Sequence, residues 1–136
     1  MIYDADGIHD SIKNQAYWAE SSDTPILTLF LENLEKRSLR RVKQLGVTGV
    51  SMAGLDTGGL ETWTDQSLKR HIDRASEADL ELRNVMFNPS SRVRFGEEGR
   101  DEDIEIINQA IRIAGRQGLP VMEYNFYAHR IVEGYR

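Results

Sequence analysis

GRDEDIEIINQAIRIAGRQGLPVMEYNF, residues Gly99 to Phe126, holds one complete helix–turn–strand unit, and the rest of the chain reads outward from it. Ile104, Ile107, Ile111 and Ala114 recur at spacings of three and four, the period of a helix with one apolar face. Asp101 is the expected N-cap, and Glu102 and Asp103 suit the positive end of the helix dipole. Gly115 or Gly118 is expected to end the helix, since glycine takes the left-handed cap conformation without a Cβ penalty. Leu119 to Phe126 (LPVMEYNF) then reads as a strand. An extended backbone sends alternate side chains to opposite faces. Glu123, Asn125 and Tyr127 would share one face, while Met122, Tyr124 and Phe126 would meet the helices.

The same unit recurs upstream. Pro25 to Leu31 (PILTLFL) is a short apolar run that predicts a buried strand. Asn33 to Leu45 follows as a helix with Leu34, Leu39, Val42 and Leu45 on its stripe and Gly46 as its C-cap. Val47 to Met52 predicts a second strand, and the glycine-rich stretch Ala53 to Leu60 a loop. Thr64 is the expected cap of a helix over Asp65 to Ala78, with Leu68, Ile72 and Ala75 facing the core. Leu80 to Phe87 predicts a third strand, and Asn88 to Gly99 a loop. Residues 1–24 are polar and mixed and read as an N-terminal extension. Residues 25–136 read as one domain of about four strands and three helices.

Strands alternating with helices predict an α/β fold of parallel βα repeats joined by right-handed crossovers. Two architectures remain open at this point: a small doubly wound sheet, and the first half of a (β/α)8 TIM barrel. A dinucleotide-binding sheet calls for a glycine fingerprint after the first strand. That position reads LFLENLEK, and Gly54, Gly58 and Gly59 after the second strand lack the GxGxxG order.

The composition narrows the function classes. The 136 residues carry a formal net charge of −5, against the basic stripe expected of a nucleic-acid binder. Lys36, Arg37, Arg40, Arg41 and Lys43 form the densest basic cluster and read as a solvated helix face. No nucleic-acid or membrane partner is expected: no apolar run approaches the roughly 20 residues a membrane-spanning helix needs. There are no cysteines, hence no disulfides and no thiolate ligands, and a cytoplasmic location is expected.

Barrel enzymes gather their chemistry at the carboxyl ends of the strands. This rule selects Glu32 and Asn33 after strand one, Asp56 after strand two, and Asn84 and Asn88 around strand three. Strand four contributes Glu123, Asn125, Tyr127, His129 and Arg130. Asn84, Asn125, Tyr127, His129 and Arg130 are the expected substrate-binding set. Glu123, lower in its strand, is expected in a buried structural pair. His129 can serve as acid, base or ligand near neutral pH, and the forked Arg130 guanidinium matches a carboxylate. Trp63, Arg92 and Arg94 are candidates for the mouth of a site that takes an anion. His9 reads as surface and His71, inside the second helix, as structural or solvated. The three histidines show no HxH or HExxH spacing, so no metal site is expected from this chain, and no GxSxG nucleophile motif occurs.

With those residues read, Gly99 to Phe126 resembles the mannonate dehydratase pattern of a GRDE-type helix start, a GIPV-type turn and a strand ending YNF. LRRVKQLGVTGVSMAG (Leu39 to Gly54) is similar to that family's first helix and second strand, and LELRNVMFNP matches the position of its third. The resemblance covers roughly residues 26–136. It implies a metal-dependent barrel that dehydrates D-mannonate to 2-keto-3-deoxygluconate. A divalent Mn or Mg would be held by residues on later strands that this chain lacks. Sugar isomerases and epimerases of the xylose isomerase-like superfamily are the alternative it implies. Two departures bear on the substrate: Ala53-Gly54-Leu55 stands where the family carries histidines, and YAHRIVEGYR follows instead of a proline and Trp-Thr-Arg. Four βα units leave open sheet edges. The expected partners are therefore a small sugar or sugar acid, and either the remaining half of the barrel or a second copy in a homo-oligomer. The isolated chain is expected to be inactive.

Overall fold

The computed structural model describes residues 25–55 and 58–126. Within them four strands form one parallel sheet in sequential order. These are β1 (Thr28–Leu31), β2 (Gly49–Ala53), β3 (Glu81–Phe87) and β4 (Val121–Tyr124). Three longer helices make the crossovers: α1 (Lys36–Gln44), α2 (Asp65–Ser76) and α4 (Arg100–Gln117). Two short pieces precede α2 and α4: a 3-10 turn at Leu60–Thr62 and a one-turn helix, α3, at Ser91–Phe95.

All three longer helices pack on the same face of the sheet. Leu39 and Val42 of α1, Leu68 and Ala75 of α2, and Ala110, Ile113 and Ala114 of α4 join Val50, Met52, Leu82 and Val85 in one buried cluster. The other face has no helix among the described residues. Phe30 and Val121 lie there half-exposed, with Thr28, Ala53 and Glu123 exposed beside them. A sequential parallel sheet with helices on one side is the arrangement of a barrel wall, and it contrasts with the two-sided cover of a doubly wound sheet.

Local chemistry sets the helix ends. Thr64 accepts from the Ser67 backbone N–H at 3.0 Å while Ser67 Oγ accepts from the Thr64 N–H at 2.9 Å, a reciprocal capping box. Gly46 follows α1 with φ +73°, and Gly118 caps α4 with φ +72°. The start of α4 differs from expectation. Gly99, in the left-handed conformation, is the N-cap, and Asp101, Glu102 and Asp103 all lie in the first turn.

Three further expectations are corrected. β1 is an exposed edge strand, with Ile26 50%, Leu27 74% and Phe30 54% exposed. Its apolar run is explained by Leu29 and Leu31, which alone pack on the core. Leu45 is 70% exposed because α1 stops at Gln44 and leaves it as the C-cap. The core stripe of α4 is Ala110, Ile113 and Ala114, rotated from the Ile104–Ile107–Ile111 line. Ala110, Ile113 and Ala114 turn inward where α4 packs beside α2, and Ile104 and Ile111 remain exposed.

Candidate substrate-facing wall

The register of β3 decides which side chains reach the bare face. Val50 pairs with Leu82 but Ser51 pairs with Asn84, so Arg83 is an extra residue in the ladder. Strict alternation from Leu82 would turn Asn84 toward the helices and Val85 away from them. The bulge reverses this: Val85 is fully buried in the core, and Asn84 stands in register with Ser51 on the open side.

Asn84 then meets Glu123. Its Nδ2 donates to Glu123 Oε2 at 2.7 Å, from β3 to β4. Glu123 was expected in a buried pair; it has a partner, but it is exposed. The edge position of β4 explains this, since no fifth strand covers it among the described residues. Asn125 follows β4, and its N–H donates to the Phe87 carbonyl at 2.9 Å, extending the ladder by one rung. The Oδ1 atoms of Asn84 and Asn125 are both buried and have no hydrogen-bond partner among the described residues. Buried carbonyl oxygens normally find a donor, and leaving one unmet costs about 1–3 kcal/mol. Ser51, half-buried beside Asn84, belongs to the same face and was not singled out from sequence. The alternation Gly49–Ser51–Ala53 against Val50–Met52 was the signal for it.

The other candidates separate. Tyr127, His129 and Arg130, together with Asp56, His9 and the 1–24 extension, lie outside the described residues. Asn33 Oδ1 accepts from the Glu35 N–H at 3.1 Å and Ser38 Oγ at 3.4 Å, which organises the start of α1. Glu32 and Asn88 are exposed. Trp63 is no mouth residue: it is 5% exposed and part of the core, because the 3-10 turn folds the loop inward. His71 is buried, with Nδ1 donating to the Ser67 carbonyl at 2.8 Å, which makes it structural rather than solvated.

Of the loop arginines, Arg92 is tied down by Asp103 at 2.6 Å, and Ser90 Oγ bonds the same carboxylate at 2.5 Å. Arg94 is half-buried, and its Nε is buried without a partner among the described residues. Remote from this wall, Arg116 and Gln117 of α4 hydrogen-bond Asp65 of α2 and hold its carboxyl down at about 2.

Among the described residues no group of three or more His, Cys, Asp or Glu is arranged to hold a metal ion. No helix among them is long and apolar enough to cross a membrane.

Comparison with known proteins accords with this geometry. The D-mannonate dehydratase (UxuA) family matches residues 27–131. Mannonate dehydratase of Brachyspira hyodysenteriae is 26% identical over 105 residues, covering 74% of this chain and 30% of that protein. The crystal structure of mannonate dehydratase from Streptococcus suis serotype 2 superposes with a TM-score of 0.63 at 24% identity, over 74% of this chain and 29% of that one. The chain thus spans less than a third of the length of these relatives. Four parallel strands joined in sequential order by three crossover helices, and a family match over residues 27–131, make the chain a member of the D-mannonate dehydratase family.

Proposed function

We propose that this chain forms one wall of the substrate chamber of a mannonate dehydratase, a cytoplasmic lyase that converts D-mannonate to 2-keto-3-deoxygluconate. The observation that carries the reading is the pair of buried, unpartnered asparagine oxygens on the helix-free face of a sheet that matches this family. Sugar hydroxyls are donors of the kind those oxygens lack. Asn84 and Asn125 hold and orient the substrate, and Glu123 fixes the Asn84 amide through its Nδ2. Tyr127, His129 and Arg130, which follow β4 in sequence, add further contacts to the sugar acid.

The family suggests a metal cofactor in general; divalent Mn or Mg would polarise the substrate oxygens. The described residues do not form a site for it, and its ligands would come from the rest of the barrel. The outer surface supports a barrel that continues. Arg116 and Gln117 tie one flank of α4 to α2. On a period of roughly 3.6 residues per turn, Ile104, Ile107 and Ile111 occupy the opposite flank. That apolar line, exposed at Ile104 and Ile111 and half-buried at Ile107, is where the helix of a further βα unit seats. A second copy of the chain is the other candidate for closing the wall. A sugar isomerase or epimerase of the xylose isomerase-like superfamily would use the same wall, and the family match favours dehydration.

The test is a chimera in which residues 27–126 replace the matching segment of the Streptococcus suis enzyme. Formation of the 2-keto-3-deoxy acid from D-mannonate supports the proposal. A folded chimera that binds its metal and yields no product contradicts it.

A further inference from the structure

We propose that Arg94 recognises the carboxylate of the sugar acid and so selects acid over neutral polyol at the mouth of the chamber. This rests on the reading of the bare face as a sugar-acid site. α3 follows β3 directly, at the end of the sheet where the strands' carboxyl termini lie. It is short but well fixed. Ser90 Oγ accepts from the Val93 N–H at 3.2 Å, and Pro89 is buried. Gly96 closes α3 with φ +70°, and the Glu97 N–H donates to the Arg92 carbonyl at 2.9 Å.

Three arginines crowd this segment, and two have carboxylates. Arg92 pairs with Asp103 at 2.6 Å and Arg100 with Asp101 at 3.2 Å. Arg94 makes no ion pair among the described residues, and its Nε is buried with no hydrogen-bond partner. Its guanidinium carbon lies 5.9 Å from the centre of the Phe95 ring, which supports one face of the cation. Partly desolvating a guanidinium without a counter-ion is unfavourable, and a carboxylate offsets that cost best because its two oxygens match the planar fork.

The experiment follows the arginine Nε–H signals of the full 136-residue chain by NMR during titration with D-mannonate. D-mannitol, with an alcohol in place of the carboxylate, is the comparison ligand. A saturable shift of Arg94 Nε–H with mannonate is expected, at an affinity about ten- to a hundredfold above mannitol. The Arg92 signal, already paired, stays in place. Arg94→Met should abolish the preference for mannonate, and Arg94→Lys should restore part of it. A loss of both affinities together would mark a structural role and overturn the inference. Backbone shifts at Asn84 and Asn125 without one at Arg94, or with one at Arg130 instead, would overturn the assignment to Arg94 while leaving the sugar-acid reading intact. No saturable response anywhere on the bare face would overturn that reading as well. The wild-type titration needs no variant, so a misfolded Arg94→Met protein leaves the test decisive.

Discussion

Asn84 and Glu123, 39 residues apart, meet at 2.7 Å on the face of the sheet that no helix covers among the described residues. The contact exists because a single extra residue, Arg83, rotates the upper part of β3. Deleting Arg83 should restore strict alternation and turn Asn84 toward the core. We expect a loss of folding larger than that of Asn84→Ala, which removes only a half-buried amide. Urea denaturation of the two variants checks the order.

Asn84→Ala and Asn125→Ala should each lower turnover of D-mannonate in an active barrel carrying this wall. A lost hydrogen bond to a substrate hydroxyl corresponds to about 0.5–1.5 kcal/mol, or roughly two- to tenfold in kcat/KM. Glu123→Gln retains an acceptor for Asn84 Nδ2 and should be milder than Glu123→Ala. Steady-state kinetics on the four variants tests the ranking.

Much of the fold could be read before any coordinates. Thr64 announces α2, and glycines at 46 and 118 end the helices they follow, because caps depend on adjacent residues. What local pattern could not supply was rotation and register. Ile104, Ile107 and Ile111 have perfect helical spacing yet lie off the buried cluster, because α4 is rotated so that Ala110, Ile113 and Ala114 face inward beside α2. Asn84 was selected for its place near a strand end, but the bulge that turns it to the open face has no signature in LELRNVMF. Trp63 looked like a loop residue because a 3-10 turn of three residues is too short to show periodicity.

Gly99 and Gly46 offer a paired test of the backbone. Both have positive φ, +83° and +73°. A side chain at Gly46 meets nothing within 4 Å, whereas one at Gly99 collides with the Arg92 guanidinium. Gly46→Ala should therefore cost about 1 kcal/mol of backbone strain. Gly99→Ala should cost more and release Arg92 from Asp103. Thermal melts give the difference, and the Arg92 Nε–H signal reports the release.

Asp65 sets an acid-sensitive contribution to stability. Hydrogen bonds from Arg116 and Gln117 lower its pKa from 3.8 to about 2 in the folded chain. A carboxyl depressed on folding stabilises above its unfolded pKa, and the contribution fades as pH falls from 3.8 toward 2. Asp65→Asn should flatten the stability profile in that window and lower stability at neutral pH. The pair is about half-exposed, so the effect should shrink in high salt. Denaturation midpoints against pH, at low and high ionic strength, test both points.

Leu68, fully buried, and Ile111, 49% exposed, distinguish core from docking surface. Leu68→Ala should cost about 2–5 kcal/mol in any context. Ile111→Asp should change the 136-residue chain by no more than about 0.5 kcal/mol. In a barrel whose next helix covers that flank it should be strongly destabilising, because it buries an unpaired carboxylate. Equal effects in both contexts would argue against a continuing helix layer.

The most direct measurement is a crystal structure of the chimeric barrel with D-mannonate bound. The sugar should lie on the helix-free face of the sheet, with its hydroxyls within hydrogen-bonding distance of the Asn84 and Asn125 side chains. A substrate bound elsewhere, with those two asparagines facing protein or solvent, would contradict it.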